Sequence, residues 1–245
     1  MTISLAAEPI FHIGSFPITN TLITSWIATA VLIIISLFLR KRIKEVPRGL
    51  QNVVEAIFEA LLGLMDSVTQ DRAMSKKLFP LIVTIFLFIT TANWFGLLPG
   101  FGPIGIYEQH EGHEVLVPFF RSTNSDLNMT LAIAIISVLS MQVFGIIAIG
   151  FAKYSKRFIN FKNPIMGFVG ALEFISDISK ILSFSFRLFG NVFAGEVLLV
   201  VISSLIPFIV PVPFYFLEIF VGFIQAFVFS ILTLVFIKVA TLEPH

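Results

Sequence analysis

Two long apolar stretches of this chain carry nine charged or amide side chains. Glu173, Asp177, Lys180, Arg187, Asn191 and Glu196 lie within residues 164–206, and Glu218, Gln225 and Lys238 within residues 213–241. A charge at the centre of a bilayer costs at least about 2.5–3.5 kcal/mol, so each such group needs water, a counter-charge or both. Intramembrane ionisable groups mark ion and proton pathways by default. Arginine cannot relay a proton, because its pKa exceeds about 12; its use is electrostatic. Carboxylates can relay, since desolvation moves their titration towards neutrality. At about 100° per residue, Lys180, Arg187 and Asn191 share one helix face. Glu196, nine positions from Arg187, points to nearly the opposite face, while Glu218 and Gln225, seven apart, share a face. The competing reading is structural ion pairing. Arg187 and Glu196 do not face each other, but a kink would bring Arg187 to Asp177 or Glu173.

The rest of the chain is equally apolar. Of 245 residues, 57% are hydrophobic and 13% charged, against about 45–50% and 25% in soluble domains. The mean hydropathy is +0.97. Several runs exceed the roughly 18 residues that mark a bilayer span, which excludes a soluble helical core. The expected fold is an all-α integral membrane domain over residues 1–245. Spans fall at 19–39, 78–98 and 127–152, and an amphipathic helix at 47–70. Its apolar stripe (Leu50, Val53, Val54, Ile57, Phe58, Leu61, Leu62, Met65, Val68) opposes Glu55, Glu59 and Asp66. That helix lies on the membrane or packs on its neighbours, and its acidic face favours packing over anionic lipid. Residues 164–206 and 213–241 form a final hairpin. At 1.5 Å per residue the first arm reaches roughly 60 Å, about twice the hydrocarbon thickness. It must be broken, strongly tilted or partly interfacial. Residues 99–126, rich in Gly, Pro and charge, read as a loop.

Lysine and arginine concentrate at residues 40–48, 76–77 and 153–162. The positive-inside rule makes these cytoplasmic. Five crossings then leave the N-terminus and the 99–126 loop outside and the C-terminus inside. The N-terminal segment lacks a basic region before its first apolar run and does not read as a cleaved signal peptide. The chain has no cysteine, excluding disulfides and thiolate chemistry. A net charge of +1 gives no case for nucleic-acid binding. No P-loop is present, so no ATP binding or hydrolysis by this chain itself is expected. His110 and His113 form a lone HxxH, a weak zinc signal; no metal site and no cofactor is expected.

The string from Arg187 through Leu188, Phe189, Gly190 and Asn191 to Ala194, Gly195 and Glu196 resembles the signature of subunit a of the F-type ATP synthase membrane sector. Asn93-Trp94-Phe95-Gly96-Leu97-Leu98-Pro99, Asp126-Leu127-Asn128-Met129-Thr130, and Gln225-Ala226-Phe227 with Leu232-Thr233 resemble further segments of that family. The resemblance spans about residues 15–243. It implies a stator subunit that conducts protons through two offset half-channels to the rotating c-ring. Arg187 would be the essential rotor-facing cation, beside the ring's ion-binding carboxylate, with Asn191 nearby. Glu196 would belong to the outer half-channel, Gln225 would lie opposite Arg187, and Asp126 and Asn128 near the outer mouth. Family members carry histidine or an acid at the position of Glu218, so Glu196 and Glu218 both stand as relay candidates. The implied partners are the c-ring subunits, the peripheral-stalk b subunits, the rest of the synthase and the lipid bilayer. The implied location is an energy-coupling membrane, the bacterial inner membrane or an organellar inner membrane. The alternative is a free-standing secondary transporter or a membrane scaffold. Transporters usually show internal repeats, and none is evident here.

Overall fold

A computed structural model describes residues 7–44, 48–98, 104–110, 113–158, 164–207 and 209–242. A short hairpin, β1 (Pro9–Ile13) and β2 (Phe16–Thr19), leads into helix α1 (Asn20–Arg42). The Thr19 hydroxyl caps α1 by accepting from the Leu22 N–H. Helix α2 (Leu50–Thr69) ends on Gln70 in the left-handed region, φ 54°. Helix α3 (Arg72–Phe95) begins on the cap Asp71, whose carboxylate accepts from the Ala73 N–H. Helices α4 (Leu127–Ile149), α6 (Pro164–Leu205) and α7 (Pro211–Ala240) follow, with a five-residue helix α5 (Phe151–Ser155) between α4 and α6. Among the described residues, five helices (α1, α3, α4, α6, α7) are long and apolar enough to cross a membrane. The fold is that of an all-α integral membrane protein, as its composition requires.

Helix α6 is helical throughout its 42 residues, about 63 Å at 1.5 Å per residue. Length is therefore absorbed without a break in the helix. The 127–152 span does break: Gly150 takes φ +87° between α4 and α5, a backbone that side chains rarely adopt. Helix α2 divides between its two expected roles. Met65 is buried in the bundle and Leu61 packs against it, whereas Val53, Ile57 and Phe58 remain exposed.

The expected loop at 99–126 is the main correction. It contains an antiparallel hairpin, β3 (Gly105–His110) and β4 (His113–Pro118), with His110 and His113 opposite each other in register. A 3-10 turn follows at Thr123–Ser125. Residues 121–126 are all buried. Glycine and proline density hid this, because the alternation in Tyr107, Val115 and Val117 is short and the polar 121–126 segment resembles a solvated link.

The packed layers run along the bundle axis. At one end Met65, Leu78, Ile82, Val138, Met141, Leu234 and Ile237 form an apolar cluster. In the middle Ile85, Phe86, Ile89, Ile133, Phe184, Leu188 and Phe229 form a second. The third layer, where α3 and α6 finish and α4 and α7 begin, is polar. It holds Asn20, Thr21, Thr24, Asn93 and residues 121–126, all buried.

Candidate functional site

The polar layer is built by hydrogen bonds between elements far apart in sequence. The Asn93 amide donates to the Gly222 carbonyl at 2.9 Å, and the Asn124 amide donates to Asn93 Oδ1 at 2.7 Å. Trp94 Nε1 donates to the Ile219 carbonyl at 3.1 Å. Thr21 Oγ1 donates to Asp126 Oδ2 at 2.9 Å. Gly96 lets the 121–126 segment lie directly on the end of α3, for a Cβ there would fall 2.5 Å from Ser122 Cβ. Buried polar groups cost free energy unless paired, so these bonds are what allow the segment to enter the bundle.

Beside this layer lies a cavity of about 130 Å³, enough for several waters. Asn191, Glu196, Glu218 and Gln225 line it, joined by Asn93, Arg121 and Tyr215. Arg121 Nε donates to Glu196 Oε1 at 3.1 Å and Oε2 at 3.3 Å. Helices α6 and α7 approach closely at Gly195, where any Cβ would overlap the Glu218 carboxylate. The cavity thus joins two carboxylates, three amides, an arginine and a tyrosine around one space of several waters' volume.

Arg187 does not line this cavity. It is exposed on the outer surface of α6, one turn before Asn191, beside exposed Phe186 and Gly190. Among the described residues no carboxylate pairs with it. The partners that structural ion pairing would have required are engaged elsewhere. Asp177 binds Lys180 Nζ at 2.6 Å and accepts from the Gln142 amide at 2.7 Å. Glu173 pairs with Arg157. Lys180 also lies 5.0 Å from the centroid of Phe236, and Tyr154 donates to Gln142 Oε1. Burial raises the Tyr154 phenol above its ordinary range.

Asp126 and Asn128 lie apart from the cavity lining. Asp126 caps α4 by accepting from the Asn128 N–H at 2.9 Å, and Asn128 itself is exposed. Asn191 and Glu196 point to different faces by spacing, yet both border the cavity, which wraps the α6 flank through Val192 and Leu199. Arg121 and Tyr215 are not among the expected site residues, and Asn93 enters only as the start of a segment resembling the family. Arg121 carried one signal, being the sole lysine or arginine of the 99–126 segment.

The fold and site define a polytopic membrane protein with a cavity lined by two carboxylates at one end of its bundle and Arg187 exposed on the α6 surface near it. A family model described as the ATP synthase A chain matches residues 22–238. The chain is 32% identical to the ATP synthase subunit a of Moorella thermoacetica over 93% of both chains. It is 34% identical to that of Geobacter sulfurreducens, covering 90% of this chain and 87% of the relative. With the Gloeobacter violaceus subunit a it shares 35% identity over 92% and 85% of the two chains. The chain belongs to the ATP synthase subunit a family.

Proposed function

We propose that this chain is the stator subunit of an ATP synthase membrane sector, one membrane domain that conducts protons through two offset half-channels to and from the carboxylates of a rotating c-ring. The observation that carries the reading is the separation on α6. Arg187 stands exposed and unpaired among the described residues, while Glu196 lines the cavity with Glu218. An exposed cation flanked by apolar side chains in a bilayer is costly unless a partner completes it. A ring carboxylate supplies that charge. The exposed surface of Phe186, Arg187, Gly190 and Ala194 is where the ring would pass.

Protons enter through the cavity, relayed by Glu196 and Glu218, with Gln225 and Asn191 holding water on the side towards Arg187. They neutralise a ring carboxylate, which then carries no charge into lipid. After rotation the carboxylate releases its proton on the other side of Arg187, into a path to the opposite end. Arg187 stays charged throughout, and so attracts the bare carboxylate and repels a proton crossing directly. Asp126 and Asn128 stand near the mouth, where Asp126 holds the start of α4. The polar end faces outside with the N-terminus, and the C-terminus is cytoplasmic, in an energy-coupling membrane such as the bacterial inner membrane. The peripheral-stalk b subunits and the rest of the synthase complete the assembly. Nucleotide chemistry belongs to other subunits.

The test is Arg187→Ala in membranes containing the whole complex. Proton-driven ATP synthesis is expected to vanish while the chain still co-purifies with a small, two-helix, ring-forming subunit. Retained coupling overturns the reading. Glu196→Gln is expected to slow proton flux with assembly intact, and an unchanged rate removes Glu196 from the path.

A further inference from the structure

We propose that Arg121 is a positioning residue for proton transfer: its buried guanidinium holds the Glu196 carboxylate at the cavity wall. The inference deepens the half-channel reading and rests on it. Arg121 is anchored on several sides. Its backbone N–H donates to Thr24 Oγ1 of α1 at 3.4 Å. The segment that carries it is fixed by Asn124 on Asn93 and by Ser122 against Gly96. Its guanidinium carbon lies 5.9 Å from the ring centroid of Phe193, one turn before Glu196 on α6. Its side chain is 4% exposed, against 28% for Glu196. The cation is therefore enclosed by protein, and the carboxylate it holds retains an open side in the cavity.

Two consequences follow from this geometry. First, Nε–H donates to both carboxylate oxygens, at 3.1 and 3.3 Å. Such charge-assisted bonds restrict the rotamers of a long, otherwise mobile side chain. Transfer between groups in a cavity depends on donor and acceptor staying within hydrogen-bond reach, directly or through one water. Second, the charge on Arg121 offsets the cost of placing a carboxylate in the bundle. A plain structural staple would explain the pair equally well if flux did not depend on it, so the test separates the two.

The experiment measures ATP-driven proton pumping in inverted membrane vesicles carrying the intact complex, normalised to the amount of assembled synthase. Arg121→Gln is expected to pump roughly tenfold more slowly, the scale of a reacting group displaced by a fraction of an ångström or more. Arg121→Lys, which keeps the charge, is expected to recover most of that loss. Arg121→Gln added to Glu196→Gln is expected to cause no further slowing, because Arg121 acts through Glu196. The inference is overturned if Arg121→Gln pumps at the parental rate per assembled complex while Glu196→Gln is slow. It is also overturned if the two losses multiply. A parental rate for Glu196→Gln instead refutes the relay reading itself, and this inference with it. Should Arg121→Gln fail to assemble, the exchanged pair R121E with E196R decides. Assembly regained relative to R121E alone supports the contact, and assembly still lost overturns it.

Discussion

Gly195→Ala puts a single methyl group where the Glu218 side chain of α7 lies against α6. The new Cβ falls inside the van der Waals envelope of Oε1, Oε2 and Cδ of Glu218. Ordinary contact at about 3.5 Å requires the carboxylate to retreat by roughly 1.3 Å. The group in the way is the end of a flexible side chain with the cavity beside it. The folding cost should therefore sit near the low end of the 1–3 kcal/mol typical of overpacking, about 1 kcal/mol. The functional cost should be larger. Displacing a reacting group by about 1 Å lowers rates by up to ~100-fold, equal to about 2.7 kcal/mol of barrier. Proton pumping per assembled complex is expected to fall ~10–100-fold, with assembly near normal. Gly63→Ala, where a Cβ meets nothing within 4 Å, is the control and should pump normally. Adding Glu218→Asp to Gly195→Ala withdraws the carboxylate by about one C–C bond, ~1.5 Å, and should recover part of the lost rate. Pumping at the parental rate in Gly195→Ala would refute the reasoning, as would a loss that appears only as failed assembly.

Other perturbations test the surrounding structure. Asn93→Ala removes a donor to Gly222 and an acceptor for Asn124. It should lower stability by about 1–3 kcal/mol, visible as a lower thermal midpoint of the detergent-solubilised complex; an unchanged midpoint counts against the polar layer as a stabilising element. Asp126→Ala loses a helix cap and the acceptor for Thr21, at about 1–2 kcal/mol, and Asp126→Asn, which retains an acceptor oxygen, should recover most of it in the same assay. Tyr154→Phe leaves Gln142 Oε1 without its donor and should cost about 1 kcal/mol with pumping per assembled complex unchanged; a large pumping loss would give this residue a part in conduction.

Much of the fold was legible because a bilayer imposes a length rule. Five apolar runs near or above the hydrocarbon thickness had to be helices, since no other single segment satisfies its own backbone in lipid. The cap residues Thr19, Asp71 and Asp126 stand at the starts of α1, α3 and α4. The 99–126 segment was less legible. Its two strands are six residues each, too short for a firm period, and its polar end is buried through partners contributed by α1, α3 and α6.

The sequence by itself determined the membrane character, the number of long helices and the placing of charged groups on the last two of them. It also separated Arg187 from Glu196, because nine residues of helix rotate two side chains to opposite faces. Only the tertiary structure decided what each group meets. Glu196 finds Arg121, 75 positions away in the chain; Asp177 and Glu173 turn to Lys180 and Arg157; and Glu218 packs against Gly195 across the helix pair. Helical periodicity sets the direction of a side chain from its own axis. It carries no record of which distant segment folds against that axis, and in a low-dielectric interior that neighbour determines whether a charge is paired, hydrated or left for a partner subunit.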